Sequence, residues 1–143
     1  MQQAGYQSYK TANISTADRG KLVVMVYDHC IKWCKKPSAN AQSGKIDEFT
    51  KAVFKVQDGI TELTCALDMD NGGDIANNLF NLYTFYNHHL TTGIRSKDSK
   101  PVQEVENMLS ELRSAWLEAV EIVRREDRSR IKEQSGNQIQ MVG

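Results

Sequence analysis

Residues 75–94, IANNLFNLYTFYNHHLTTGI, form a run of twenty without one charge, in a chain of which 25% of residues are charged. That run restricts the fold more than any other feature. Ile75, Leu79, Leu82, Tyr86 and Gly93 recur at helical steps, so the run predicts an amphipathic helix. Its apolar residues do not stop at one face. Between Ile75 and Ile94 they sweep roughly 220° of arc, about twice what a core-facing helix needs. The surplus surface calls for a cover, and another protein can supply it. A membrane fits poorly. Four Asn, two His and three Thr interrupt the run, whereas a spanning helix needs about 20 predominantly apolar residues.

Two further segments carry narrower stripes. Ile46, Phe49, Val53, Val56, Ile60, Leu63 and Leu67 are separated by steps alternating between three and four, the spacing of a heptad seam. Val102, Val105, Leu109, Leu112, Trp116, Ala119 and Val123 repeat the pattern. The most buried positions are expected on these seams, at Phe49, Val56, Leu63, Leu109 and Trp116. A first helix is expected from the Ser15/Asp18 cap region to about Lys36, stopping before Pro37. It is broad, like the third: Leu22, Val23, Met25, Val26, Tyr27, Cys30, Ile31, Trp33 and Cys34 spread past a single stripe. PSANAQSG (37–44) reads as a loop and DMDNGG (68–73) as a turn-rich link. Ser99 is a candidate cap, and Pro101 suits the first turn of the last helix.

The prediction is an all-α chain folded as an antiparallel, up-and-down four-helix bundle. It forms a single domain over 1–143: an irregular N-terminal arm at 1–16, the bundle at 17–134 and a flexible tail at 135–143. Tyr6, Tyr9 and Ile14 are isolated anchors in the polar arm and are expected to fold back onto the bundle. With them, Leu22, Tyr27, Leu79, Leu82, Tyr83 and Tyr86 are the candidate partner-binding residues; some of those on helices must face the core.

Lys plus Arg and Asp plus Glu number 18 each. No global field exists to recruit nucleic acid or anionic lipid. The first residues show no apolar signal core, so a cytosolic chain with free thiols is expected. Cys30 and Cys34 share a helix face inside the apolar arc and read as packing residues rather than metal ligands. His88 and His89 point to different faces and cannot chelate one ion. They read as solvated or groove-lining. No Glu-x-x-His, phosphate loop or nucleophile motif is present, so no catalysis and no cofactor are expected.

The laid-out residues resemble the flagellin export chaperone family, FliS, from Tyr6 to Val123. The arm reads Tyr6-Gln7-x-Tyr9, then Ile14-Ser15-Thr16-Ala17. Helix 1 opens with Gly20-Lys21-Leu22-Val23-Val24-Met25-Val26-Tyr27-Asp28. The third helix has Gly73-Asp74-Ile75-Ala76-x-Asn78-Leu79-x-x-Leu82-Tyr83, and the fourth Leu112-Arg113-x-Ala115-Trp116-x-Glu118-Ala119. Departures include Asp18-Arg19 in place of a small residue and Pro, and His29-Cys30 in place of a small pair. The resemblance implies a cytosolic chaperone that binds flagellin's C-terminal segment one-to-one. It would prevent premature polymerisation and serve type III export, with the export apparatus as a further contact. A self-associating bundle with a structural or adaptor role is the alternative; a thiol- or metal-dependent enzyme survives only through the cysteines.

Overall fold

The computed structural model describes residues 16–42 and 45–142, with side chains described for 18–36 and 45–136. Four helices follow one another: α1 Thr16–Gln42, α2 Ile46–Cys65, α3 Gly73–Ser96 and α4 Lys100–Val142. There is no strand among the described residues. The all-α, antiparallel bundle expected from the seams is therefore the fold. The arm, with Tyr6, Tyr9 and Ile14, lies outside the described residues.

Two boundaries differ from expectation. α1 continues through Pro37 to Gln42, so 37–42 is not a loop. Proline lacks an N–H and gives up one bond, the one to the carbonyl of Trp33 four residues earlier. Ala39, Ala41 and Gln42 then favour continuation. α2 stops at Cys65, two residues short of Leu67. The Asp68 carboxylate accepts the Asn71 backbone N–H at 3.1 Å and its side-chain amide at 3.1 Å, while the Gly72 N–H donates to the Asp68 carbonyl at 2.8 Å. The side-chain and backbone bonds from Asn71 hold the Asp68 carboxyl below the usual carboxylate range. Gly73, at φ 56°, then makes the left-handed step that starts α3.

α3 ends in a Schellman pair of bonds. Lys97 sits at φ 55°, its N–H donating to the Ile94 carbonyl, and the Asp98 N–H donates to the Gly93 carbonyl at 3.0 Å. Asp98 also starts α4, its carboxylate accepting the Lys100 N–H at 3.0 Å. The side-chain cap thus comes from the neighbour of Ser99.

By compactness the chain divides into Val24–Arg113 and a second unit of residues up to Val23 together with Ser114–Gly143. The first unit holds segments of all four helices. Its fully buried side chains include Tyr27 from α1, Phe49, Val53, Val56 and Ile60 from α2, Tyr83, Tyr86 and Leu90 from α3, and Val102, Val105 and Leu109 from α4. Cross-contacts fix the directions. Gln57 of α2 meets Asn87 and Thr91 of α3, and Cys65 shares a cleft with Phe80, so one helix ascends as the other descends. Gly93 lies against Pro101 and His89 against Glu104, the same reversal between α3 and α4. Tyr27 and Tyr83 join hydroxyls between α1 and α3. Asp28 and Arg113 pair between α1 and α4. α1 and α2 approach at Gly59, where any Cβ would collide with Cys30 Sγ.

In the second unit Gly20 allows a similarly close approach of α1 to Val120 on α4. Here the expectation for Trp116 is corrected. It is half-buried, as is Val123, and Ala119 is exposed. From 125 to 136 nearly every side chain is exposed, and Arg125 pairs with Glu121 at 3.4 Å. The helix runs on to Val142 through the segment read as a tail.

Candidate functional site

The width of α3 resolves into separate surfaces. Ala76, Tyr83, Tyr86, Leu90 and Gly93 are buried and occupy about 100° of the wheel, an ordinary core stripe. Large apolar residues remain outside it: Ile75 is 73% exposed, Phe85 50%, Phe80 42% and Leu82 38%. Ile75, Leu82 and Phe85 lie on one flank of the stripe, towards the side where His89 meets Glu104. Phe80 lies on the other, facing α2. On the first flank the His89 ring stacks on Phe85 (centroids 5.4 Å apart, 16° between planes) and its Nε2 bonds Glu104 Oε2 at 2.7 Å.

The candidates named from sequence separate accordingly. Leu82 is on the exposed flank, Leu79 is half-buried and Leu22, in the second unit, is 42% exposed. Tyr27, Tyr83 and Tyr86 are corrected: all three are core residues, unable to touch a partner while the bundle is closed. Tyrosine's large ring belongs inside once its hydroxyl has a partner, which the Tyr27–Tyr83 bond provides.

Sequence reasoning missed the second flank. A cleft of about 410 Å³ opens between α2 and α3. From α2 it is lined by Thr61, Thr64 and Cys65, and from α3 by Phe80, Thr84, Asn87, His88 and Thr91. The signal was present as two uncharged polar stripes, 61/64/65 and 84/87/88/91, each at helical spacing. Polar residues at such spacing read as a solvated face unless the facing helix is known. Gln57 ties the helices together beside the cleft, its amide donating to the Asn87 carbonyl at 3.1 Å and to Thr91 Oγ1 at 3.0 Å. Asn87 Oδ1 is buried and lacks a hydrogen-bond partner among the described residues.

The thiols are not assembled for chemistry. Cys30 and Cys34 are buried and Cys65 is exposed. Burial, with a smaller contribution from Glu62, pushes the Cys30 pKa from 9.0 up to about 12. Burial raises Cys34 as well, helped by Cys30 and Glu106. Both stay neutral in the fold, so above pH 9.0 the unfolded chain loses thiol protons that the folded one keeps. Their contribution to stability is whole below pH 9.0 and is lost as pH rises towards about 12. In urea titrations the unfolding free energy should fall across that window, and less steeply in the Cys30→Ala/Cys34→Ala variant. An equal or steeper fall in the variant would contradict the assignment. Among the described residues no three His, Cys, Asp or Glu are grouped to hold a metal, and no helix is long and apolar enough to cross a membrane.

The chain is a helical bundle with apolar side chains left outside its filled core, a surface of the kind that marks candidate contact sites. Comparisons give the bundle its family. The model described as flagellar protein FliS matches residues 1–123. The flagellar secretion chaperone FliS of Vibrio cholerae is 32% identical over 114 residues, covering 77% of this chain and 84% of that protein. Its counterpart in Bacillus subtilis is 23% identical over 121 residues, covering 85% and 90%. A solved flagellar chaperone from bacteria shares the fold, with TM-score 0.69 at 21% identity over 85% of this chain and 98% of that one. The chain belongs to the FliS family of flagellar secretion chaperones.

Proposed function

We propose that this protein binds the C-terminal segment of flagellin in the cytosol, one copy to one client, without catalysis. By covering apolar stripes of a segment that is disordered in the monomer, it prevents premature polymerisation. It delivers the segment to the flagellar type III export apparatus. The observation that carries the reading is the exposed, uncharged surface of α3, with Ile75, Phe80, Leu82 and Phe85 outside the core. Uncharged Asn and Thr between them cost less to desolvate than Lys or Glu. A helical segment ordering on such a surface is a recurrent mode of recognition. Leu22, Leu79 and Leu82 remain contact candidates on this reading. The arm, through Tyr6, Tyr9 and Ile14, covers part of the surface before the client arrives.

The test is light scattering of the size-separated protein alone and mixed with monomeric flagellin. A monomer that becomes a one-to-one heterodimer, lost when the last residues of flagellin are removed, is the expected result. Deleting residues 1–11 should then tighten binding, because a competing arm lowers apparent affinity by the fraction of time it is closed. A stable homodimer that ignores flagellin at about 10 μM, where contacts worth roughly 7 kcal/mol would register, refutes the reading.

A further inference from the structure

The match to the family model ends at residue 123, and α4 runs on from there with its charges sorted by face. At about 100° per residue, Leu117, Arg124, Arg128 and Ile131 fall within roughly 60° of arc, in one row along the helix. Leu117 is 40% exposed and Ile131 63%, so an apolar side chain stands at each end with guanidinium groups between. Glu121 lies on the row between Leu117 and Arg124, its carboxylate held by Arg125 at 3.4 Å. Lys132 borders the row, four residues past Arg128. Arg124, Arg128 and Lys132 have no ion pair among the described residues. Glu126 and Glu133 lie on the opposite side of the helix, and Asp127, half-buried, lies off one edge. Arg124, Arg128 and Lys132 follow at i, i+4 steps of about 6 Å, and Leu117 to Ile131 spans about 21 Å, close to four turns.

We propose that this row is a docking face for an acidic amphipathic helix of a partner protein. The partner helix sets two carboxylates, spaced i, i+4, against Arg124 and Arg128, and an apolar side chain at each end against Leu117 and Ile131. Carboxylates at that spacing repeat at the same rise of about 6 Å, so both ion pairs form in one register. Each Arg can take its carboxylate through two parallel N–H bonds. Exposed ion pairs alone are worth little. Burial of the two apolar ends supplies the remaining affinity and keeps water from the pairs between them. Three rival occupants fit less well. A second copy laid antiparallel, with Leu117 on Ile131 of the second copy, sets Arg124 against Arg124 of the second copy at the two-fold axis, like charge on like. A helix seated in a nucleic-acid groove has phosphates on both flanks, which Glu126 and Glu133 oppose. A lipid surface calls for a broad apolar face, and this row has two apolar side chains in about four turns. The proposal is independent of the flagellin reading, which places its client on α3.

The test uses the full chain, isotope-labelled, and two synthetic peptides cross-linked into helices. One peptide carries two Glu between two Leu at the spacing of the row; the other has Gln in place of both Glu. At about 20 mM salt the Glu peptide should shift the amide resonances of residues 117–132 and bind at least about tenfold more tightly than the Gln peptide, and about 200 mM salt should weaken it. Arg124→Gln/Arg128→Gln should bind the Glu peptide at least about tenfold more weakly, keep its thermal midpoint and bind flagellin as the parent does. Equal affinity for the two peptides, shifts confined to another surface, or no binding at about 1 mM peptide overturns the proposal. Weakened flagellin binding in the double variant also overturns it, since the row would then be part of the client's surface. Tighter binding of a duplex RNA, or of vesicles containing phosphatidylserine, assigns the row to a nucleic acid or a lipid surface. Shifts of the same residues that grow with protein concentration alone assign it to a second copy. Each of these results overturns the proposal.

Discussion

Phe49→Ala is expected to lower the free energy of unfolding by about 3–5 kcal/mol, through lost transfer energy and the cavity left in a core that relaxes only partly. Phe49 is fully buried on α2, in a core completed by Tyr27, Leu90, Val105 and Leu109 from the other three helices. Against a typical domain stability of about 5–15 kcal/mol, the loss is a third or more of what holds the chain folded. The urea midpoint should fall accordingly, with the slope of the transition unchanged. Phe54 supplies the internal control. It lies five residues further along the same helix and is 51% exposed, so Phe54→Ala should change stability by no more than about 0.5 kcal/mol. Equal costs at the two positions would mean that the rotational setting of α2 is wrong.

That setting was legible because α2 carries a narrow seam: only one rotation buries Phe49, Val53, Val56, Ile60 and Leu63 together, and these are buried. The same logic placed Val102, Val105 and Leu109 correctly and failed beyond Arg113. Trp116 continues the α4 pattern yet is half-buried, because a stripe sets which face points inward and not how completely that face is covered. α3 was the reverse case. Its helix was plain, but an apolar arc of roughly 220° admits many rotations, and any window of about 100° could have been the core. What selects the rotation is pairing across the bundle: Tyr83 with Tyr27, and Gln57 with Asn87 and Thr91. These contacts join residues 30 to 56 positions apart, which no local pattern reports. The same is true of His89 and Glu104, an ordinary histidine in sequence that closes α3 against α4 in space. Pro37 misled for a different reason. A proline biases the preceding residue away from helix, and here the residues that follow it carry the helix on.

Leu82, Tyr83 and Thr84 are consecutive and face three environments, so substitutions to acidic residues there should give three different results. Leu82 is 38% exposed on the Ile75/Phe85 flank. Leu82→Asp should leave the helical melt nearly in place and weaken flagellin binding by about ten- to a hundredfold, the cost of setting an unpaired carboxylate inside a desolvated contact. Tyr83 is fully buried, with its hydroxyl bonded to Tyr27. Tyr83→Asp places a carboxylate in the core, removes a large ring and takes away that partner of Tyr27. The combination should cost at least about 4 kcal/mol and lose the cooperative melt, with binding lost as a consequence. Thr84 lines the α2–α3 cleft, and Thr84→Glu should again spare the melt. The pattern separates the two surfaces of α3. A complex indifferent to Leu82→Asp and Phe85→Asp but sensitive to Thr84→Glu confines the client to the cleft. Sensitivity on both sides means that the segment crosses α3 and grips it from either flank. A Tyr83→Asp variant that melts like the parent would show that α3 is rotated from the setting described, and the assignment of both surfaces would fall with it.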